Sequence, residues 1–180
     1  VREAHAAGAR VMGHSTGLGA ADLIAAGVDA IEHGMALTDD QIAEMADRGL
    51  AWTTTLATAD KHIGAMAEQQ TPVGAYLRAQ YARLRDQLPR ARARGVAILA
   101  GTDEIPMGAL PRELGYLTRF GLTAADALAI GSTEARGWLG LPPVADGAEA
   151  DLVTYAADPR LSIDALACPA AVLYAGRRIA

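Results

Sequence analysis

Val96-Ala97-Ile98-Leu99-Ala100-Gly101-Thr102-Asp103 is the stretch that decides the fold. Five apolar residues in a row, set off by Gly95, read as a buried strand. A Pro- and Gly-containing loop, 104–109, follows the Asp. An aspartate at the C-terminal end of a buried strand stands where α/β barrels carry their chemistry. The plainer alternative is an Asp that opens a turn or caps the next helix.

Working outward, the same unit recurs upstream. Ala9 to His14 reads as a strand, Gly17 to Ala26 as a helix with helical apolar spacing, and Gly27 as its stop. Val28 to Glu32 is a second strand followed by His33-Gly34. Thr38 caps a second helix that Asp39-Asp40 favour electrostatically and Gly49 closes. Leu50 to Leu56 is a third, Thr-rich strand. A helical section, 59–94, follows; it is interrupted near Thr71-Pro72, and Pro72 suits the first turn of its second helix. Downstream, Leu110 to Phe120 and Ala124 to Leu139 read as helices, the latter capped by Thr123.

Strand and helix thus alternate four times, which predicts an α/β fold with a parallel sheet. Four such units make about half of a TIM-type (β/α)8 barrel of roughly 250 residues. A doubly wound open sheet is the alternative, although no Gly-x-Gly-x-x-Gly follows the first strand. From Leu141 the character changes: Pro142-Pro143 and Asp146-Gly147 separate residues 1–140 from 141–180. Ala150 to Tyr155 and Ala171 to Ile179 read as strands of a small β module that needs strands from elsewhere.

The 180 residues are 51% apolar and 21% charged, which excludes a disordered chain. A net charge of -5 argues against nucleic acid as a partner, and no apolar run is long enough to span a membrane. A single cysteine, Cys168, excludes an intramolecular disulfide and a Cys-based zinc site. A reducing, cytoplasmic location is the default expectation. Arg2 to Gly8 reads as the closing turn of a helix, so the expectation is a fragment whose N-terminal part is missing.

Three strand ends carry potential metal ligands: His14, His33 and Asp103. In a βα barrel these ends converge on one axis, although each His alone is more simply a hydrogen-bonded, partly buried side chain. Period-two counting places His14 with Met12, His33 with Ile31 and Asp103 with Leu99, on faces that could line the barrel interior. The same counting turns Glu32 away from His33 and gives it no catalytic role. Two imidazoles and a carboxylate suit zinc or a similar divalent ion, which would acidify a water molecule beside a carboxylate base.

These residues stand in a wider pattern. Gly13-His14-Ser15, Ile31-Glu32-His33-Gly34, Thr53-Thr54-Thr55-Leu56, Gly101-Thr102-Asp103, Ser132-Thr133-Glu134-Ala135 and Ala150-Asp151-Leu152-Val153 occur in that order. In them the chain resembles the C-terminal half of the amidohydrolase superfamily, in its imidazolonepropionase-like and Xaa-Pro dipeptidase-like branch. The resemblance implies strands five to eight of a barrel, plus the C-terminal strands of a small β-sandwich. It implies His14 and His33 as metal ligands, and Asp103 as both metal ligand and proton acceptor for the attacking water. It further implies one or two divalent metals, zinc foremost, in the complete protein. The reaction implied is hydrolysis of an amide, peptide or cyclic-amide C–N bond in a small-molecule substrate.

Two features depart from that pattern. The chain has no His-x-His, and its only Lys, Lys61, lies past the third strand and cannot bridge two metals by position. The loop Glu104-Ile105-Pro106-Met107-Gly108 also differs from the Gly-rich loop of the branch, so substrate preference does not carry over. The chain alone is therefore expected to need its missing half or self-association. The rival readings are a non-catalytic half-barrel, and an esterase, lactonase or deaminase on the same fold.

Overall fold

The computed structural model describes residues 1–16, 19–67, 71–105 and 108–180. Gly17 and Leu18 of the expected second helix, Glu68 to Gln70 between the two long helices, and Pro106-Met107 lie outside the described residues. The order is α1 (Arg2–Ala6), β1 (Met12–Ser15), α2 (Ala20–Ala26), β2 (Ala30–His33), α3 (Asp39–Arg48) and β3 (Ala51–Thr54). Then come α4 (Leu56–Ala67), α5 (Pro72–Ala93), β4 (Ala97–Ala100), α6 (Leu110–Arg119), α7 (Ala124–Ala129), a π-helical stretch Ile130–Glu134 and α8 (Ala135–Trp138).

β1 to β4 form one parallel sheet in the order β1-β2-β3-β4. A doubly wound sheet reverses its strand order at a switch point. This sheet never reverses, so each crossover advances the chain by one strand in the same sense. Helices α2, α3, α5 and α6 lie on one face, where Ile31, Trp52 and Ile98 meet Ile24, Met45, Leu84, Leu88, Leu114 and Leu117 in a single core. That is the layering of half a barrel, with a helical outer layer and an inner face of its own.

Local sequence accounts for the helix ends. Thr38 caps α3 in a full capping box with Gln41, and Thr123 caps α7 in another with Asp126. The Thr71 hydroxyl accepts from Gly74 N–H, with Pro72 in the first turn of α5. Gly27 and Gly49 end α2 and α3 in the left-handed conformation.

In-register pairing stacks the inner face in rows. Met12, Ala30, Ala51 and Ala97 form one row, and His14, Glu32, Thr53 and Leu99 the next, nearer the C-terminal strand ends. The row of alanines is small enough for α8 to reach over it. Ala135 and Trp138 pack against the Ala30, Ala51 and Leu99 cluster, with the Arg10 guanidinium over the Trp138 ring. Ala30 and Ala51 are fully buried as a result, whereas Met12 on the edge strand is 47% exposed.

The C-terminal sheet corrects one expectation. The single last strand, Ala171 to Ile179, is a hairpin: β6 (Pro169–Tyr174) turns back into β7 (Arg177–Arg178), and both join β5 (Leu152–Tyr155) in an antiparallel sheet. Ala175 and Gly176 have φ of 49° and 75°. Two residues with positive φ make the tight turn whose twist suits a hairpin. No helix among the described residues is long and apolar enough to cross a membrane.

Candidate active site at the strand ends

β1 and β2 deliver His14 and His33 side by side. The His33 Nε2 and His14 Nδ1 atoms lie 2.9 Å apart, and the rings meet edge to face with centroids at 4.5 Å. The pairing depends on a backbone detail. By period-two alternation His33 follows Ile31, and Ile31 belongs to the helix-facing core, not to the interior face predicted for it. His33 instead adopts φ of 68°. This left-handed turn breaks the alternation and carries the imidazole to the mouth of the half-barrel beside His14.

Three further bonds fix that turn. Trp52 Nε1–H donates to the His33 carbonyl at 2.9 Å, and Gly34 N–H donates to Ser15 O at 3.0 Å. The Thr55 hydroxyl lies 2.8 Å from His33 Nδ1. Burial, together with the neighbouring His14, holds the His33 imidazole below its ordinary pKa, against the opposing pull of Asp103. At neutral pH His33 is therefore mainly in the neutral form that ligates metals.

Asp103 sits beyond the end of β4, exposed, with φ of 47°. The approach of β4 to β3 rests on Gly101. A Cβ there would lie 2.9 Å from the Thr53 Cγ2 methyl and 3.3 Å from Thr54 O, and Gly101 N–H donates to Thr54 O at 2.8 Å. The Thr58 hydroxyl donates to Thr102 O at 2.6 Å, which pins the residue before Asp103.

The structure thus brings His14 and His33 into contact. Asp103 is close enough to act on His33 through its charge but joins neither ring. Among the described residues, no group of three or more His, Cys, Asp or Glu is set to hold a metal ion. The donors present are nitrogen and oxygen atoms of the kind zinc accepts, so they fit part of a shell rather than a complete one.

Glu32 was misplaced by period-two counting. It belongs to the inner row with His14 and Thr53, because the kink at His33, and not Glu32, breaks the alternation. Its Oε1 and the Thr53 Oγ1 are buried, and neither makes a close hydrogen bond. Burial raises the Glu32 pKa, and the Asp103 charge adds to this against the influence of Thr53 and His14. A second carboxylate therefore faces the interior next to the His pair. Register across β1, β2 and β3 was the signal for it, and a single strand cannot show register.

Other side chains are also placed. Thr54 turns away from the mouth to Glu113, and His62 is exposed on α4. His5, on α1, bonds Asp29 at 2.8 Å. A cavity of about 690 Å³ lies elsewhere, between α6, α8 and the C-terminal sheet.

The amidohydrolase family model matches residues 1–179, which includes both the His pair and the Gly-Thr-Asp strand end. The chain belongs to the amidohydrolase family. An uncharacterised protein of Mycobacterium tuberculosis is 43% identical over 180 residues, covering 97% of this chain and 49% of that protein. The chain spans about half the length of the curated relatives it matches. A crystal structure of an Xaa-Pro dipeptidase with methionine bound in its active site superposes with TM-score 0.83 at 25% identity, over 98% of this chain and 46% of that one. The Aspergillus niger ochratoxinase structure shares the fold, with TM-score 0.85 at 23% identity over 99% of this chain and 43% of that one. These two structures match the four-stranded half-barrel and C-terminal strands over somewhat less than half of their own lengths.

Proposed function

We propose that this chain is the C-terminal half of a metal-dependent hydrolase that cleaves a C–N bond, amide or peptide, in a small-molecule substrate. The observation that carries the reading is the contact between His14 and His33 at adjacent strand ends, obtained through a left-handed turn at His33. A non-Gly residue in that conformation is costly and is found where a side chain must be aimed. Family membership and the likeness to an Xaa-Pro dipeptidase support the choice of bond.

His14, His33 and Asp103 would hold the ion, with the remaining ligands supplied from outside this chain. A divalent metal there would supply Lewis acidity toward a carbonyl oxygen and toward water. Asp103, exposed at the mouth, takes the proton of the attacking water on its carboxylate and returns it to the leaving nitrogen. His33 keeps its orientation through the Thr55 hydroxyl. Glu32 presents a buried carboxylate oxygen to the interior, where it can accept from a substrate N–H.

The test is metal analysis of the full-length protein with dipeptide hydrolysis as the activity. Wild type is expected to carry a divalent ion and to hydrolyse Xaa-Pro or N-acyl substrates. His14→Ala with His33→Ala should lose both. Wild-type protein without bound metal, or unchanged activity in the double variant, would leave the non-catalytic half-barrel as the correct reading.

A further inference from the structure

We propose that Glu113, on the outer helical layer, is the positioning residue that sets His33 and the Thr102-Asp103 strand end in register, acting through the first turn of α4. Glu113 belongs to α6 and is fully buried. It touches none of the three candidate ligands. Its Oε1 accepts from the Thr54 hydroxyl at 2.8 Å and from Leu56 N–H at 2.9 Å, and its Oε2 accepts from Ala57 N–H at 2.8 Å. Free N–H groups at a helix N-terminus, with the positive end of the dipole, make a natural seat for an anion. Here the seat is taken by a carboxyl side chain of the protein itself, from more than fifty residues along the chain.

The turn that Glu113 grips on one side works on the other. The hydroxyl of Thr55, between Thr54 and Leu56, reaches His33 Nδ1. The Thr58 hydroxyl, one residue beyond Ala57, holds Thr102 O directly before Asp103. The Thr54 carbonyl takes the Gly101 N–H. One turn therefore touches two of the three strand ends that carry candidate ligands, and one carboxylate holds that turn. Glutamine in this place keeps the shape but offers one acceptor oxygen and an NH₂ group to three donors. At least one N–H or O–H is then opposed by another donor, and the turn must shift.

This inference rests on the reading of His14, His33 and Asp103 as a metal site, and the test separates the two. Cobalt(II) affinity of the full-length protein is measured optically for wild type, Glu113→Gln, Thr55→Val and the double variant. Each single variant is expected to lose about tenfold or more in affinity, as supporting partners of metal ligands do. Because both act on His33 by one route, the double variant should lose less than the product of the two single losses. Thr55→Ser, which restores the hydroxyl, should recover affinity.

A second readout needs no metal: at a fixed pH near 8, the ring ¹⁵N shifts of His33 report which nitrogen carries the proton. Glu113→Gln and Thr55→Val should both move them, and Glu113→Gln should do so without touching the ring. A purely structural Glu113 would lower the melting temperature and leave the His33 shifts and the cobalt affinity in place; that result, or strictly multiplicative losses, overturns the proposal. If wild type binds no cobalt, the metal-site reading falls and the ¹⁵N comparison alone decides the role of Glu113. If Glu113→Gln does not fold, Glu113→Asp, which keeps both acceptors on a shorter stem, is read by the same two measurements.

Discussion

Replacing Gly34 by alanine tests how the site is built, because Gly34 follows the kinked His33. Its φ is 61°, and an added Cβ would run into the Trp52 indole nitrogen and lie 2.8 Å from Leu37 Cδ1. Trp52 is fully buried, so the indole has little room to retreat. The first cost is the left-handed backbone, about 1–2 kcal/mol for a residue with a Cβ. The second is the bond from Trp52 Nε1–H to His33 O, now 2.9 Å. Losing it inside the core leaves a buried donor unpaired, at about 1–3 kcal/mol. Together the loss is roughly 2–5 kcal/mol, and with a slope of about 2 kcal/mol per molar urea the midpoint should fall by about 1–2.5 M. Urea unfolding followed by tryptophan fluorescence measures it. In a Trp52→Phe background the bond is already absent, so the penalty of Gly34→Ala should shrink toward the backbone part alone. An unfolding midpoint within about 0.3 M of wild type would refute the reasoning.

Two other expectations concern the outer layer. Burial raises the Glu113 pKa above 4.5, against the N–H groups of Ala57 and Leu56, the Thr54 hydroxyl and the Arg112 charge. The folded chain then keeps this proton to higher pH than the unfolded chain, so the contribution of Glu113 is fully present below 4.5 and declines as pH rises through the folded value. Melting temperatures across about pH 4 to 7 should therefore fall for wild type relative to Glu113→Gln; a difference that stays flat or rises contradicts the assignment. Leu117 is fully buried between α6 and the sheet, so Leu117→Ala should cost about 2–5 kcal/mol in chemical denaturation; a loss below about 1 kcal/mol would mean that α6 is not packed there as described.

What could be read in the sequence was local or periodic. Strand and helix periods, Thr38 and Thr123 as caps, and Pro72 in a first turn are decided by residues within four positions of one another, and the structure repeats them. The β6–β7 hairpin was missed because Ala175-Gly176 is not the Asn-Gly or Asp-Gly that announces such turns; alanine hides its positive φ. The candidate residues His14, His33 and Asp103 could be named from their places at strand ends. Their faces could not all be assigned, because period-two counting assumes an unbroken strand.

The sequence by itself determined four βα units, the ends at which polar side chains stand, and the family resemblance carried by Ile-Glu-His-Gly and Gly-Thr-Asp. Tertiary structure decided the sense of winding, which side of the sheet each polar residue faces, and what supports it. Winding depends on which strand each crossover joins, and local propensity carries no record of that. His33 reaches His14 only because Trp52, Thr55 and Ser15 hold a left-handed residue in place, and Glu113 meets the α4 turn across a separation of more than fifty residues. Such contacts arise from packing distant segments together, so no window of the sequence contains them.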